Sequence, residues 1–565
     1  MRRGWAALLL LPAAAAGQPV PQPGLVERIA PAPAPTLSPP ALPPEPTRRV
    51  GLGESRRIAL GTVRIEGAAA LQDAELRPLV APLAGREAAL GEIEAARLAV
   101  LHAYRAAGFP YVAVAALLAP GAEGAALTFR VTEGFVSALE IEGGIGPAEA
   151  QARRFLAPLV GQRPLSHAAL ERALLLASDI PGVAARGVLR SAGDEPGALR
   201  LVVRLARQPV TGFLSLDNRG NPLTGAWQGL LSLGANAFTS VGERTEVALV
   251  GTDGAGQGFA QLSGEAFLGG SGLRLRGWAG AGRAAPGSPL AAIGYAGETR
   301  VTGAALAWPL LRSRPLNLTL SAGLDAFEST VEARDAPGLP RRRQSRDAVR
   351  AVRLGAEFAA LDGLAGAAPA AASTALALRL HRGLEAFGAS DGSLGAAARL
   401  GSDFGFAKVT AEATRLQPLL VPAEGWMLAA QAAIAGQWSD DVLPPAEKFY
   451  LGGNRLGRGY HAGQLAGDRA LALSGELQLG RMLDLPAMRL GTQLYLFRDE
   501  GWAADKGPGG GTRHLASWGG GVRLQFAERA QLDLEAVRRL ARQPEGAGVT
   551  RLVEDAVFVR LLLRH

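Results

Sequence analysis

Leu316-Asn317-Leu318-Thr319-Leu320-Ser321-Ala322-Gly323-Leu324-Asp325 is the stretch whose reading decides the fold. Leucine and alanine hold the even positions. Small or polar residues hold the odd ones. A two-residue period sends alternate side chains to opposite faces of a strand, so this segment has one apolar and one polar face. Leu471–Leu479 repeats the pattern, with Ser474, Glu476 and Gln478 between leucines. Gly521–Phe526 and Gln531–Val537 repeat it again, and Gly-, Pro- and Asp-rich stretches separate the runs.

From about Gln208 to His565 this texture replaces helical spacing. Two-faced segments of about ten residues are the pattern of an antiparallel transmembrane β-barrel, and about 22 residues per strand and connection gives about 16 strands. A soluble β-sandwich also alternates. The length of the region and a leader-like N-terminus favour the barrel. Aromatic residues are 5% of the chain, which predicts a thin aromatic girdle.

That leader covers 1–17. Arg2 and Arg3 precede the apolar Trp5–Leu11, and Ala13–Ala16 offer a small-residue cleavage site. The apolar run is far shorter than the roughly 20 residues a spanning helix needs. Residues 18–57 carry proline every few positions from Pro19 to Pro46 and read as an extended linker, with a weak helical signal at Leu25–Ile29. Residues 58–134 and 135–207 each show the order β-α-α-β-β, a divergent tandem repeat. In the first, Ile93, Ala96, Val100 and Tyr104 share one helical face. The fold class expected is therefore two small α+β domains followed by an all-β barrel over 208–565.

The 565 residues include no cysteine. Disulfides, thiolate metal sites and cysteine nucleophiles are thereby excluded, and the lack suits an oxidising compartment. The net charge of +8 is spread along the chain. No helix-turn-helix or RNA-binding signature accompanies it, so no nucleic-acid partner is expected. His102, His167, His381, His461 and His514 are scattered without metal-ligand spacing. No Gly-x-Ser-x-Gly elbow or phosphate loop occurs. The expectation is no catalytic residue, no metal and no cofactor. Arg341-Arg342-Arg343, with Arg346 and Arg350, reads as a solvated loop or strand margin.

One segment stands apart: Leu443-Pro444-Pro445-Ala446-Glu447-Lys448-Phe449-Tyr450-Leu451-Gly452-Gly453-Asn454-Arg455-Leu456-Gly457-Arg458-Gly459-Tyr460. Gly452, Gly453, Gly457 and Gly459 imply a tightly folded loop with positive-φ turns. Arg458, between glycines, is expected at an exposed tip and needs an acceptor. Asp499, on a later strand and facing the lumen, could take it in a bidentate bond. An ordinary glycine-rich hairpin with an unrelated lumen carboxylate fits the residues equally well.

Phe449-Tyr450-Leu451-Gly452-Gly453, then Arg458-Gly459-Tyr460, Gly467-Asp468 and Glu476-Leu477, followed by Phe497-x-Asp499-x-Gly501, resembles the two-partner secretion transporters, the haemolysin secretion and activation proteins. The resemblance implies two POTRA (polypeptide-transport-associated) domains in the periplasm and a 16-stranded barrel in the outer membrane. It implies a loop lock, in which Arg458 pairs with Asp499 while Tyr460 packs near the tip. Phe497 and Gly501 would then shape the barrel wall. It further implies a monomer in contact with outer-membrane lipid and lipopolysaccharide, and a secreted partner such as a large β-helical exoprotein. An insertase of the same superfamily is the alternative. A porin or an outer-membrane enzyme would not need the tandem N-terminal units. Gly457 stands where the family has valine, and Gln18–Pro46 carries no pattern for the family's N-terminal plug helix.

Overall fold

The computed structural model describes residues 56–193, 195–363, 370–392, 397–486, 488–507, 510–527, 529–545 and 551–565. The expected leader, nearly all of the 18–57 linker and the Leu25–Ile29 segment lie outside the described residues.

The first N-terminal unit runs β1 (Arg57–Glu66), α1 (Asp73–Val80), β2 (Glu87–Ala89), α2 (Leu90–Ala106), β3 (Val112–Ala119) and β4 (Ala125–Glu133). Its sheet has the order β2-β1-β4-β3, with β1 parallel to β4. The α2 stripe Ile93, Ala96, Val100 and Tyr104 is buried with Leu127, Phe129 and Val131 of β4, as a 3.6-residue period over a sheet requires. The buried Tyr104 hydroxyl donates to Glu133 at 2.7 Å. Glu133 also accepts from the Ala69 and Ala70 amides at 2.8 Å each, which ties the β1–α1 turn to the sheet.

The second unit runs β5 (Phe135–Glu142), α3 (Glu149–Leu156), α4 (His167–Ser178), β6 (Val183–Ser191) and β7 (Ala198–Arg207), with sheet order β5-β7-β6. Sequence pattern predicts only Gly187–Arg190 of β6. The strand is longer, and Gly187 interrupts its pattern because α4 lies against it. A Cβ there would meet the Leu174 side chain at 2.8 Å.

The barrel strands are β8 (Val210–Asp217), β9 (Gln228–Asn236), β10 (Arg244–Thr252), β11 (Gln257–Phe267), β12 (Arg274–Ala284), β13 (Ala296–Arg312), β14 (Leu316–Ala333), β15 (Arg342–Asp362), β16 (Ala372–Gly383), β17 (Ala407–Leu420) and β18 (Trp426–Ser439). Two short strands, β19 (Phe449–Leu451) and β20 (Leu465–Gly467), pair with each other within the loop that follows. The barrel resumes with β21 (Arg469–Asp484), β22 (Arg489–Ala504), β23 (Thr512–Phe526), β24 (Ala530–Arg539) and β25 (Asp555–Arg564). Sixteen strands close into one ring as Arg560–Arg564 of β25 pairs antiparallel with Phe213–Asp217 of β8. Closure leaves no sheet edge, which lipid demands because it offers the backbone no hydrogen bonds. No helix among the described residues is long and apolar enough to cross a membrane.

Register sorts the two faces. Ala322, Leu354, Leu380, Val409 and Trp438 form one row across β14–β18. Leu380 is 52% exposed and Trp438 55%, so this row is the lipid face. The adjacent row, Gly323, Arg353, His381, Lys408 and Ser439, faces the lumen. One residue of slip would exchange them. Two tryptophans sit at the ends of β18. Arg469 stacks on Trp438 at 3.7 Å at one end of β18, and Arg481 lies 5.6 Å from the Trp426 ring at the other.

The second unit docks on one rim. Gln151 donates to the Gly269 carbonyl at 2.7 Å, and Arg172 to that of Pro309 at 2.8 Å. Arg312 grips Asp179 with bonds of 2.9 and 2.7 Å. Strand alternation places the β18–β21 loop at the opposite rim.

Candidate functional site

The loop between Ser439 and Arg469 turns back into the barrel. Three glycines make the reversal: Gly452, Gly453 and Gly457 have φ of 102°, 97° and 91°, which side-chain-bearing residues rarely adopt. Gly453 donates to the Tyr460 carbonyl at 2.9 Å, and Tyr460 to that of Gly457 at 3.0 Å. Gly459 serves differently. It lies so close to the wall that a Cβ would meet Ser517 Cβ at 2.7 Å.

Arg458 is not at an exposed tip. It is 6% exposed, because the tip lies inside the lumen against β21–β24. Its Nε donates to Asp499 Oδ2 at 3.0 Å and its Nη2 to Oδ1 at 2.8 Å. Its backbone amide also donates to Asp499, at 2.8 Å. Nη2 reaches Ser474 Oγ at 3.0 Å, and Nη1 pairs with Glu476. Phe497 carries the guanidinium on its ring face at 3.7 Å. Ser474, Asp499, Ser517 and Arg539 form one lumen row across β21–β24, so register alone assembles this receptor. Gly501 leaves room for the loop: a Cβ there would meet Leu451 and Leu515 side chains at 3.1 Å each.

The buried Tyr460 hydroxyl lies 2.7 Å from both the Ala516 and Ala541 carbonyls and accepts from the Ala516 amide at 3.3 Å. Arg539 donates to the Gly459 carbonyl at 2.5 Å. Arg219, stacked on Phe558, holds the Arg458 carbonyl and Glu535. Gly519 and Gly521 open the wall for the Phe497 and Tyr495 rings, with Cβ positions 3.0 Å from Phe497 and 2.6 Å from the Tyr495 hydroxyl.

A second cluster holds the other flank of the loop. Glu447 is 1% exposed. Its Oε1 pairs with Arg353 at 2.8 Å and its Oε2 with Lys408 at 2.7 Å. Lys408 also donates to the Glu447 carbonyl at 2.6 Å, and Gln437 does so at 3.1 Å. Asp325 grips Arg353 with bonds of 2.5 and 2.6 Å. Burial opposes the charge on Glu447, but Arg353 and Lys408 outweigh it and hold this carboxyl below its usual range. At the neck, Asp468 takes both arms of Arg399 at 2.6 and 2.8 Å and accepts from the Leu443 and Lys506 amides. Glu447 lies in the segment that the sequence sets apart, but no role is read for it there. Arg353 and Lys408 lie on strands that read as ordinary lumen alternation, and nothing local marks three residues so far apart as partners.

A closed lipid-facing barrel with two sheet-and-helix units at one rim and its own loop folded into the lumen defines an outer-membrane transporter with periplasmic POTRA domains. The family described as haemolysin secretion/activation protein ShlB/FhaC/HecB matches residues 360–524, and the ShlB-type POTRA domain matches residues 58–134. Over these two segments the chain is similar to this family of two-partner secretion transporters. No curated protein matches it in sequence. Among solved structures it resembles CdiB from Escherichia coli, with a TM-score of 0.72 at 18% identity over 94% of each chain. CdiB from Acinetobacter baumannii gives 0.62 at 17% identity, over 93% of this chain and 94% of that one. At these identities the likeness concerns the fold.

Proposed function

We propose that this transporter takes an unfolded partner polypeptide from the periplasm and secretes it through the barrel to the cell surface or medium, with Arg458 and Asp499 locking the loop in the lumen. The observation that carries the proposal is a lumen occupied by the chain's own loop, which is held there by polar contacts and not by a covalent bond. The family's secretion role supports a protein cargo, and a large β-helical exoprotein is the partner class. No nucleotide-binding motif is present in the sequence, so the cargo's folding outside supplies the drive.

Cargo entry falls to the POTRA sheets. The strand β3 lies at an edge of its sheet and β6 at an edge of the other. An extended chain can add to such an edge as a further strand, because the edge amides and carbonyls are unpaired. Val188 of β6, 56% exposed, offers an apolar contact.

Co-expression with the candidate exoprotein tests the reading. Arg458→Ala should lower the exoprotein in the medium at least tenfold at equal surface levels of the barrel, and Asp499→Ala should do the same. Exchanging the two charges should restore part of the export. Full export by Arg458→Ala would remove the lock from the mechanism.

A further inference from the structure

The two flanks of the loop are held unequally, and the difference points to where the lumen opens. At the Arg458 side the wall is filled. The space around Arg458, Arg219, Tyr495 and Glu535 is about 50 Å³. At the Glu447 side a cavity of about 890 Å³ separates the loop from β10–β15. Glu447, Lys408, Arg353 and Asp325 all line that cavity, and Arg458 does not.

The contacts differ in kind as well. Arg458 sits among contacts from its side chain, its amide and its carbonyl, with Gly459 and Tyr460 packed beside it. Glu447 is held chiefly by two cations from the far wall, Arg353 and Lys408, with Gln437 and Lys408 on its carbonyl. Arg353 has a second counter-ion in Asp325, which belongs to the barrel wall. Arg353, Lys408 and Asp325 sit on strands of the closed barrel, while Glu447 sits on the loop. Only Glu447 need move for the cluster to part.

We propose that Glu447 is a second latch, and that the lumen opens by its release from Lys408 and Arg353 while the Arg458 end stays seated as the pivot. The mobile part of the loop then swings away from β14–β17 and enlarges the cavity already present along β10–β15. The cavity wall carries both signs of charge, in the pairs Arg244–Glu246 and Arg276–Glu265. A passage lined this way discriminates little against cargo charge. The proposal rests on the transporter reading, but an ion current needs no cargo and tests the latch separately.

The chain has no cysteine, so introduced thiols are the only ones present. In planar bilayers the full-length Glu447→Gln variant should show at least a threefold rise in open time or mean conductance. The neutral amide that this substitution introduces leaves Lys408 and Arg353 close together, with Asp325 as the carboxylate that remains paired with Arg353. The variant Lys408→Cys/Glu447→Cys, bridged by a short bis-methanethiosulfonate that forms a disulfide to each thiol as methanesulfinate leaves, should conduct little and export little. Cleavage by reductant should restore both. Gln464→Cys/Glu545→Cys, bridged the same way on the Arg458 side, should leave both unchanged; in the native chain Gln464 donates to Glu545. The proposal is overturned by native-level conductance in Glu447→Gln. It is also overturned if the Gln464–Glu545 bridge blocks current and the Lys408–Glu447 bridge does not. If no exoprotein is exported even by the native chain, the cargo reading fails, and the current still decides the latch.

Discussion

At the scale of single residues, the receptor for the loop depends on missing side chains as much as on charged ones. Gly519 stands opposite Phe497 in the β22–β23 register, and the ring that carries Arg458 leans over it. Gly519→Ala would place a methyl 3.0 Å from that ring and closer still to the Ala536 carbonyl. Such overpacking typically costs about 1–3 kcal/mol. We expect the variant to assemble its barrel yet expose the loop to protease added outside the cell. Unchanged nicking would show that the ring has room to shift. Tyr460→Phe removes one hydroxyl from between two carbonyls and should cost about 1 kcal/mol or somewhat more. The same protease assay should rank it below Gly519→Ala. The residue-level chemistry of Arg458 was legible in part: glycines around an arginine imply a tight turn and a required acceptor. Its burial was not, since the fold-back into the lumen is a property of the whole loop.

At the scale of elements, α4 links the sheet of the second unit to the barrel. Ser166 caps it by accepting from the Ala169 amide at 3.1 Å, which satisfies one of the four unpaired N–H groups that open any helix. Ser166→Ala should destabilise the helix by about 1 kcal/mol. Hydrogen exchange of the amides in His167–Ser178 should quicken several-fold, with α2 unaffected. Equal quickening in both helices would mean that the units unfold together. Sequence periodicity located both helices within a turn or so, because an amphipathic stripe declares itself locally. It truncated β6, because the reason for Gly187 is the Leu174 side chain of another element.

At the scale of the whole molecule, the second N-terminal unit is fixed to the rim by Arg312, which is 8% exposed at its side chain and reaches across to Asp179. Removing Asp179 leaves a nearly buried guanidinium with only Asn317 and a backbone carbonyl, a change that typically costs about 3–5 kcal/mol. Asp179→Ala should therefore broaden spin-label distance distributions between the second unit and the barrel, with barrel heat-modifiability on gels retained. A distribution as narrow as native would show that Arg172 and Gln151 suffice for docking. The sequence by itself determined the strand-rich barrel, the approximate number of strands and the tandem units ahead of it, because two-residue and 3.6-residue periods are local consequences of backbone geometry. Only the tertiary structure decided which lumen residues meet. Arg353 and Lys408 become neighbours of Glu447, and Ser474 of Asp499 and Ser517, through cross-strand register and ring closure. Both depend on contacts between segments far apart in the chain, which no local pattern encodes.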